Sequence, residues 1–191
     1  EMPKGLDALV YDLQDEVRRS YTFISSMGVA MEACAENGVE FIVLDRPDPL
    51  DGQRIEGPML EHGFRSAVGR WPVPYVYGMT CGELARMIAG EGWIHGSCKL
   101  TVVPMKGWRR WMVWRDTGLP WVPTSPHLPQ EDSPLFYVAT GMLGEIGGIN
   151  TGIGYTLPFQ CIAGPGINPH QLADCLNGYH LPGSRFKPIT Y

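Results

Sequence analysis

The chain has 191 residues, of which 44% are hydrophobic and 18% are charged, so it can bury a core and is not a disordered or highly charged tail. Its formal net charge of -5 argues against nucleic acid as a partner, because binding to backbone phosphates requires clustered Lys and Arg. No segment approaches the roughly 20 consecutive apolar residues of a membrane span, so none is expected.

The N-terminal part has the pattern of a strand, a helix and a second strand. Residues 6–13 are an apolar run without helical period, which predicts a buried strand. Apolar residues then recur at helical spacing over 22–37, and Gly38 follows as a stop signal. Residues 39–44 form a second buried run. Such a unit predicts two parallel, neighbouring strands.

Polar residues follow both predicted strands. Asp12, Gln14 and Asp15 come after the first strand, and Asp45 and Arg46 come after the second. Ligands of parallel sheets bind outside the carboxyl ends of the strands. We therefore expect these five side chains to share one cleft.

Further elements follow along the chain. A capping-box pattern at Thr80 predicts a helix over 80–90, and residues 100–103 predict a third strand. A Ser-Pro pair predicts the start of a helix over 133–143, with the serine as its N-cap. An Asn-Pro pair predicts another helix over 168–178. The class is therefore α/β.

No metal or cofactor is expected. The five cysteines are odd in number, irregularly spaced and without a Cys-x-x-Cys pair, which favours buried free thiols. The spacing of His95 and Cys98 alone is a weak metal signal. The glycines Gly152 and Gly154 neither follow a strand nor open a helix, which argues against a dinucleotide loop.

Several residues at the predicted cleft suit glycoside cleavage, which uses two groups flanking the scissile bond. The carboxylates in question are Asp12, Asp15, Asp45 and Glu56. Each could instead cap a loop or pair with an arginine. Tyr21, between the first strand and its helix, either reaches into the cleft or belongs to the core. One or two of the six tryptophans are expected to stack on sugar rings.

A series of ordered motifs is more specific than any of these patterns. The chain contains, in order, "GLDALVYDLQD", "SYTFISSMGVAMEACAENG", "FIVLDRPDPLDG", "EGPMLEHGFRSAVG", "PVPYVYGMTCGELARM", "VVPMKGWRR", "TGLPWVPTSPHLP" and "GIGYTLPF". With them the chain resembles the exo-β-N-acetylmuramidase family of the NamZ type, formerly DUF1343.

The resemblance implies both a fold and an activity. The fold is a Rossmann-like parallel sheet with helices over 1–157 and the start of a smaller α+β domain over 158–191, with the active site between the two domains. The activity is release of N-acetylmuramic acid from the non-reducing ends of peptidoglycan fragments, in a secreted or periplasmic setting. The resemblance also implies a longer protein, whose upstream part carries a glutamate in a Pro-Glu-His-Gly motif and completes the site.

The resemblance also nominates site residues. Tyr21, in the motif Arg-x-Tyr-Thr, and Asp15 are the catalytic candidates. The candidates for binding a muramyl glycan are Asp12, Gln14, Arg19, Asp45, Arg46, Glu56, Ser125 and His127.

One segment departs from the family pattern. The family often has Ser-Glu-Gly-Arg-Gly-Thr-Thr-Arg-Pro-Phe where this chain has residues 150–159, so one acid and two arginines are replaced. An arginine is a natural ligand for the lactyl carboxylate of muramic acid. A catalytically silent glycan-binding or scaffold protein of the same fold therefore stays open as the alternative, and a nucleotide-dependent Rossmann enzyme is a weaker third.

Overall fold

The computed structural model describes residues 5–190. Three parallel strands form one sheet in the order β1-β2-β3, and they are β1 (Ala8–Tyr11), β2 (Glu40–Leu44) and β3 (Leu100–Val103). In the register, Leu9 of β1 lies beside Phe41 of β2, which lies beside Leu100 of β3. The prediction of parallel, neighbouring first strands is confirmed.

Among residues 5–190, four α-helices and two short 3-10 helices accompany the sheet. The α-helices are α1 (Phe23–Asn37), α2 (Cys81–Gly90), α3 (Ser133–Thr140) and α4 (Pro169–Gly178). The 3-10 helices are Trp114–Thr117 and Gly141–Glu145. Long ordered loops connect these elements.

The main core lies between the sheet and the helices α1 and α2. Phe41 and Val43 of β2 are fully buried within it. The core side chains that the helices contribute are Ile24, Met27 and Met31 from α1 and Leu84 and Ile88 from α2. Full burial of such a side chain contributes roughly 1.5–3 kcal/mol. This packing fixes the carboxyl ends of the strands, where the site lies.

The opposite face of the sheet is more open. Val10 of β1 is 55% exposed and Val103 of β3 is 45% exposed. Strands of a parallel sheet are usually covered on both faces. Within residues 5–190, helical packing therefore covers one face of the sheet far better than the other.

The structure confirms the predicted helix starts at α2 and α4 but not at α3. Thr80 and Glu83 form the capping box of α2, and the Asn168 side chain accepts from two backbone N–H groups at the start of α4. At α3, however, Asp132 occupies the N-cap position and Ser133 is the first helical residue. The Ser133 hydroxyl instead accepts from the backbone of Gln130, so the predicted serine cap is wrong by one residue.

The cysteines are all free thiols, and Cys34, Cys81 and Cys161 are buried, whereas Cys175 is exposed. Residues 5–190 contain no group of three or more His, Cys, Asp or Glu side chains arranged to hold a metal ion. Over that same range, every helix is too short or too polar to span a bilayer.

Candidate active site

The site is built by loops that leave the carboxyl ends of the parallel strands. The loop after β1 runs over residues 12–22 and leads into α1, and the loop after β2 begins at Asp45. Because β1 and β2 are parallel neighbours, both loops emerge at the same edge of the sheet. The loop after β3, which begins at Pro104, emerges at this edge too.

An ion pair joins the first two loops at the rim. Arg46 approaches one carboxylate oxygen of Asp12 with two nitrogens, Nη2 at 2.6 Å and Nε at 2.8 Å. Asp12, Asp45 and Arg46 line one cavity of about 420 Å³, which we call the rim cavity. The predicted shared cleft is confirmed for these three residues.

Asp45 fixes the start of α2 from this rim. Its carboxylate accepts from the Gly82 backbone N–H at 2.8 Å and from the Thr80 hydroxyl at 2.9 Å. A Cβ on Gly82 would lie 2.8 Å from the Asp45 carboxyl carbon, so a glycine is required there. Burial raises the pKa of Asp45, and these hydrogen bonds oppose that rise. The lone pairs of Asp45 are thus largely used within the fold.

Gln14 and Asp15 do not line the rim cavity, so the shared-cleft prediction is wrong for them. The Gln14 amide donates to the carbonyls of Asp15 at 2.8 Å and Pro47 at 2.9 Å, which ties the first loop to the second. Asp15 is only 3% exposed and accepts from the Tyr77 hydroxyl and, at 2.8 Å, from the Val17 N–H. The loop turns inward after Gln14, and it therefore carries Asp15 below the rim.

Two buried acids lie outside the set of predicted site residues. Glu16 is fully buried and accepts from the Thr124 hydroxyl at 2.5 Å, and burial raises its pKa to about 7. Asp48 accepts from the Leu50 N–H at 2.8 Å, and burial raises its pKa to about 8. Both carboxyl groups can therefore hold a proton near neutral pH, as a general acid must.

A buried guanidinium accompanies these acids. Arg18 is fully buried, its guanidinium carbon lies 2.8 Å from the centroid of the Tyr137 ring, and its Nη1 donates to the Pro134 carbonyl at 3.3 Å. Burial lowers the pKa of Arg18, and the nearby Tyr137 and Glu16 partly offset that effect. In the sequence, Glu16 and Arg18 belong to a run of charged residues that follows a buried strand. From that run, only Asp15 and Arg19 were predicted as site residues.

Tyr21 lies in a second apolar cluster with Leu128 and Phe159. Its hydroxyl donates to the Thr124 carbonyl at 3.1 Å, and the residue is only 9% exposed. Burial raises the pKa of Tyr21, and the opposing effect of Arg18, 5.8 Å from the ring centroid, is smaller. The cation beside this phenol therefore does not bring its pKa below the ordinary value.

Arg19 and Glu56 face other parts of the fold. The Arg19 guanidinium donates to the carbonyls of Pro58 at 2.8 Å and Val73 at 2.7 Å, so it holds loops together. Glu56 exchanges two backbone hydrogen bonds with Val76, and its half-exposed side chain pairs with Arg54 at 3.4 Å. Neither side chain lines the rim cavity.

Ser125 and His127 lie in the long loop before α3, between Thr124 and Leu128, which both contact Tyr21. They flank a turn in which the His127 N–H donates to the Ser125 hydroxyl at 3.3 Å. The residue before this turn is Thr124, which bonds both Glu16 and Tyr21. The turn is therefore connected to the buried acid and to the phenol through one residue.

The segment that departs from the family pattern packs against Tyr21. Phe159 stacks on Tyr137 with ring centroids 4.2 Å apart, and its carbonyl accepts from the Thr140 hydroxyl at 2.7 Å. Phe159 also has a positive φ of 62°, which is unusual for a residue other than glycine. The segment 150–159 therefore contributes to the surroundings of Tyr21 through Phe159, a position at which the chain matches the family pattern.

Comparison with protein families gives two matches that together cover nearly all of the chain. Residues 1–132 match the family model "Exo-beta-N-acetylmuramidase NamZ, N-terminal", and residues 135–191 match the corresponding C-terminal model. The division that we expected after residue 157 stays a prediction.

Individual relatives agree with these matches. The chain is 46% identical over all 191 residues to the peptidoglycan β-N-acetylmuramidase NamZ of Bacillus subtilis strain 168, and it spans 45% of that protein's length. A crystal structure of a DUF1343 family protein from Bacteroides fragilis NCTC 9343 aligns with 97% of the chain and 48% of its own, at a TM-score of 0.93 and 53% identity. A second DUF1343 family protein from that organism aligns with 85% of the chain and 45% of its own, at a TM-score of 0.77 and 40% identity.

Proposed function

Because the chain belongs to the exo-β-N-acetylmuramidase NamZ family, we propose that it releases N-acetylmuramic acid from the non-reducing ends of peptidoglycan fragments. The observation that carries this proposal is the identity of 46% over the whole chain to a peptidoglycan β-N-acetylmuramidase. Membership of this family supports a muramidase-like glycosidase activity.

We assign the proton-transfer role to Tyr21. Glycoside cleavage needs a group that protonates the leaving oxygen or assists the attacking group. The Tyr21 hydroxyl is held by the Thr124 carbonyl at 3.1 Å, and the Thr124 hydroxyl in turn bonds the Glu16 carboxyl at 2.5 Å. A phenol that is already held in one position loses less entropy when it exchanges a proton with a substrate oxygen.

Asp15 has an indirect role in the reaction, because it holds the loop between β1 and α1 in place. Its carboxylate accepts from the Tyr77 hydroxyl and the Val17 N–H, both inside the fold. It therefore fixes the path of the chain between β1 and Tyr21. The proposed contacts to the glycan are Asp12 and Arg46 at the rim, with Ser125 and His127 beside Thr124.

We also propose that the protein works outside the cytoplasm, in a secreted or periplasmic setting. The support is the substrate class, since peptidoglycan lies outside the cytoplasmic membrane. Fractionation of the source cells, followed by immunodetection of the protein, tests this. Detection in the cytoplasmic fraction alone would reject it.

The activity is tested with a pair of chromogenic substrates. The full-length protein is incubated with an aryl β-N-acetylmuraminide and with the aryl β-N-acetylglucosaminide, which lacks only the lactyl group. We expect release from the first and little from the second. Equal release from both would show a glycosidase without muramyl preference.

A catalytically silent glycan-binding protein is the second candidate. The specific observation in its favour is that the Tyr21 hydroxyl is already bonded to a backbone carbonyl and that the residue is only 9% exposed. This candidate predicts binding of N-acetylmuramic acid without turnover of the aryl muraminide. The two readouts, measured on one preparation, separate the candidates.

A further inference from the structure

The rim cavity is formed by the loops that follow all three strands. Asp12 comes from the loop after β1, Arg46 from the loop after β2, and Met105, Lys106 and Trp108 from the loop after β3. Its volume of about 420 Å³ lies within the range of small-molecule sites, which is about 300–1,000 Å³. Tyr21 does not line this cavity.

Trp108 forms a fixed aromatic wall of the cavity. A Cβ on Gly52 would lie 2.8 Å from the indole, so the ring packs directly on that glycine. The chain just after the indole is anchored as well, because the Gly52 N–H donates to the Arg110 carbonyl at 2.7 Å and Arg110 pairs with Glu83 at 2.8 Å. The ring is therefore oriented before any ligand arrives, and a flat apolar face suits the C–H face of a pyranose.

The polar groups of the cavity are not equally available to a ligand. The carboxylates of Asp45 and Asp116 accept from backbone N–H groups of Gly82 at 2.8 Å and Val113 at 3.0 Å. Arg46 bonds a single oxygen of Asp12, which leaves the other Asp12 oxygen able to accept.

Lys106 is the cation that the cavity can offer to a ligand. Its side chain is exposed, and no carboxylate of residues 5–190 lies within ion-pairing distance of its ammonium group. An ammonium on a flexible stem is a suitable partner for a carboxylate on a ligand. The cavity thus combines an aromatic face, a free carboxylate oxygen and a cation without an ion-pair partner among the described residues.

We infer that the rim cavity binds the carboxylate-bearing sugar ring of the glycan, with the ring on Trp108, a hydroxyl donating to Asp12 and the carboxylate on Lys106. This inference rests on the proposed function and adds to it the residues that select an acidic sugar.

Binding of free monosaccharides tests the site without turnover, because they contain no scissile bond. The affinity of the full-length protein for N-acetylmuramic acid and for N-acetylglucosamine is measured by calorimetry. We expect the wild type to prefer N-acetylmuramic acid. Lys106→Met should lower that affinity by on the order of tenfold or more and leave N-acetylglucosamine binding unchanged, since one charge-assisted contact is lost.

Two variants make the comparison specific. Lys106→Arg keeps a cation and should retain most of the preference. Lys99→Met removes an exposed lysine just before β3 that pairs with Glu40 at 2.7 Å, outside the cavity, and should leave both affinities unchanged. The proposed binding site would be contradicted if the wild type did not prefer N-acetylmuramic acid. It would also be contradicted if Lys106→Met left the affinity for N-acetylmuramic acid unchanged.

Turnover of the aryl muraminide by the same samples keeps the two proposals apart. A protein that binds through Lys106 but does not hydrolyse the substrate contradicts the proposed function and supports the site. If the wild type and the Lys106→Met variant hydrolyse limiting substrate equally well, the function is supported and the site is overturned.

Discussion

The loop between β1 and α1 brings charged side chains into the interior. Asp15, Glu16 and Arg18 are each at most 3% exposed, and Val17 between them has a positive φ of 55°. A β-branched residue in that region is strained, by on the order of 1–3 kcal/mol. Such strain is typical of functional segments, where the surrounding structure maintains an unfavourable arrangement.

Tyr21→Phe directly tests the proton-transfer role proposed for the Tyr21 hydroxyl. The change removes one hydroxyl that donates to the Thr124 carbonyl and leaves the ring in its apolar cluster. We expect turnover to fall by on the order of a hundredfold or more, with little change in thermal stability. Steady-state kinetics and thermal unfolding of the full-length enzyme measure the two quantities.

Tyr137→Phe is the matched control for that experiment. Its ring, which lies under Arg18 and stacks on Phe159, is kept, and only a neighbouring hydroxyl is lost. Turnover should be close to that of the wild type. If Tyr21→Phe also retained full turnover on a verified substrate, Tyr21 would be a core residue and not part of the mechanism.

The raised pKa of Glu16 predicts how the stability of the protein depends on pH. Burial raises its pKa from 4.5 to about 7, so between these values the folded state holds a proton that the unfolded state has lost. The stability contributed by the protonated group is fully present below the unfolded pKa and is lost as pH rises through the folded pKa. Glu16→Gln cannot titrate, yet its amide oxygen can still accept from Thr124.

The free energy of unfolding of the Glu16→Gln variant minus that of the wild type should therefore be larger at pH 8 than at pH 5, by up to about a few kcal/mol. Urea unfolding at the two pH values measures this difference. Glu61→Gln, at an exposed position, is the control and should give the same difference at both pH values. A parallel shift for Glu16→Gln at both would show that the carboxyl does not titrate in this window.

The rim of the site could be predicted from the sequence better than its interior. Asp12, Asp45 and Arg46 could be identified because they directly follow apolar strands, whose carboxyl ends bind ligands in parallel sheets. Glu16 and Arg18 could not, because charged residues are rarely fully buried and hydrophobic patterns assign them to the surface. The partners of Tyr21 depend on loops more than 100 residues away, as its bond to Thr124 shows.

At the scale of the elements, α1 depends on one close contact. Gly28 faces the Trp71 ring, and the Trp71 indole donates to the Ile24 carbonyl of the same helix at 2.9 Å. A Cβ at Gly28 would overlap the indole. The absence of a side chain there lets the tryptophan lie against the helix, which positions the segment that follows Tyr21.

Gly28→Ala should destabilise the protein by about 1–3 kcal/mol through overpacking. Gly90→Ala is the matched control, because that glycine is at the exposed end of α2, where an added Cβ would have no atom within 4 Å. There the change should be neutral or stabilising by up to about 1 kcal/mol. Denaturant unfolding compares the two variants, and equal effects would contradict the packing argument.

The regular elements are largely predictable from local patterns. Apolar runs identify β2 and β3, and side-chain capping signals identify the starts of α2 and α4. The predicted start of α3 is one residue late, because a Ser-Pro pair is compatible with a serine cap and with a serine as first helical residue. The paths of the long loops depend on tertiary hydrogen bonds that no short pattern encodes.

At the scale of the whole molecule, three loops from one edge of a parallel sheet and two later segments surround the candidate site. The rim cavity lies over the strand ends, while Thr124 and Phe159 bring the later segments to Tyr21. The chain spans about 45% of the length of its curated relative. The activity of the whole protein is therefore best measured on the full-length enzyme.

The most direct test of the proposed activity uses two disaccharides that contain the same two sugars in opposite order. The full-length enzyme is incubated separately with N-acetylmuramyl-β-1,4-N-acetylglucosamine and with N-acetylglucosaminyl-β-1,4-N-acetylmuramic acid, and free sugars are identified by mass spectrometry. An exo-acting β-N-acetylmuramidase releases N-acetylmuramic acid from the first and leaves the second intact. Cleavage of the second, or of neither, would contradict the proposed activity.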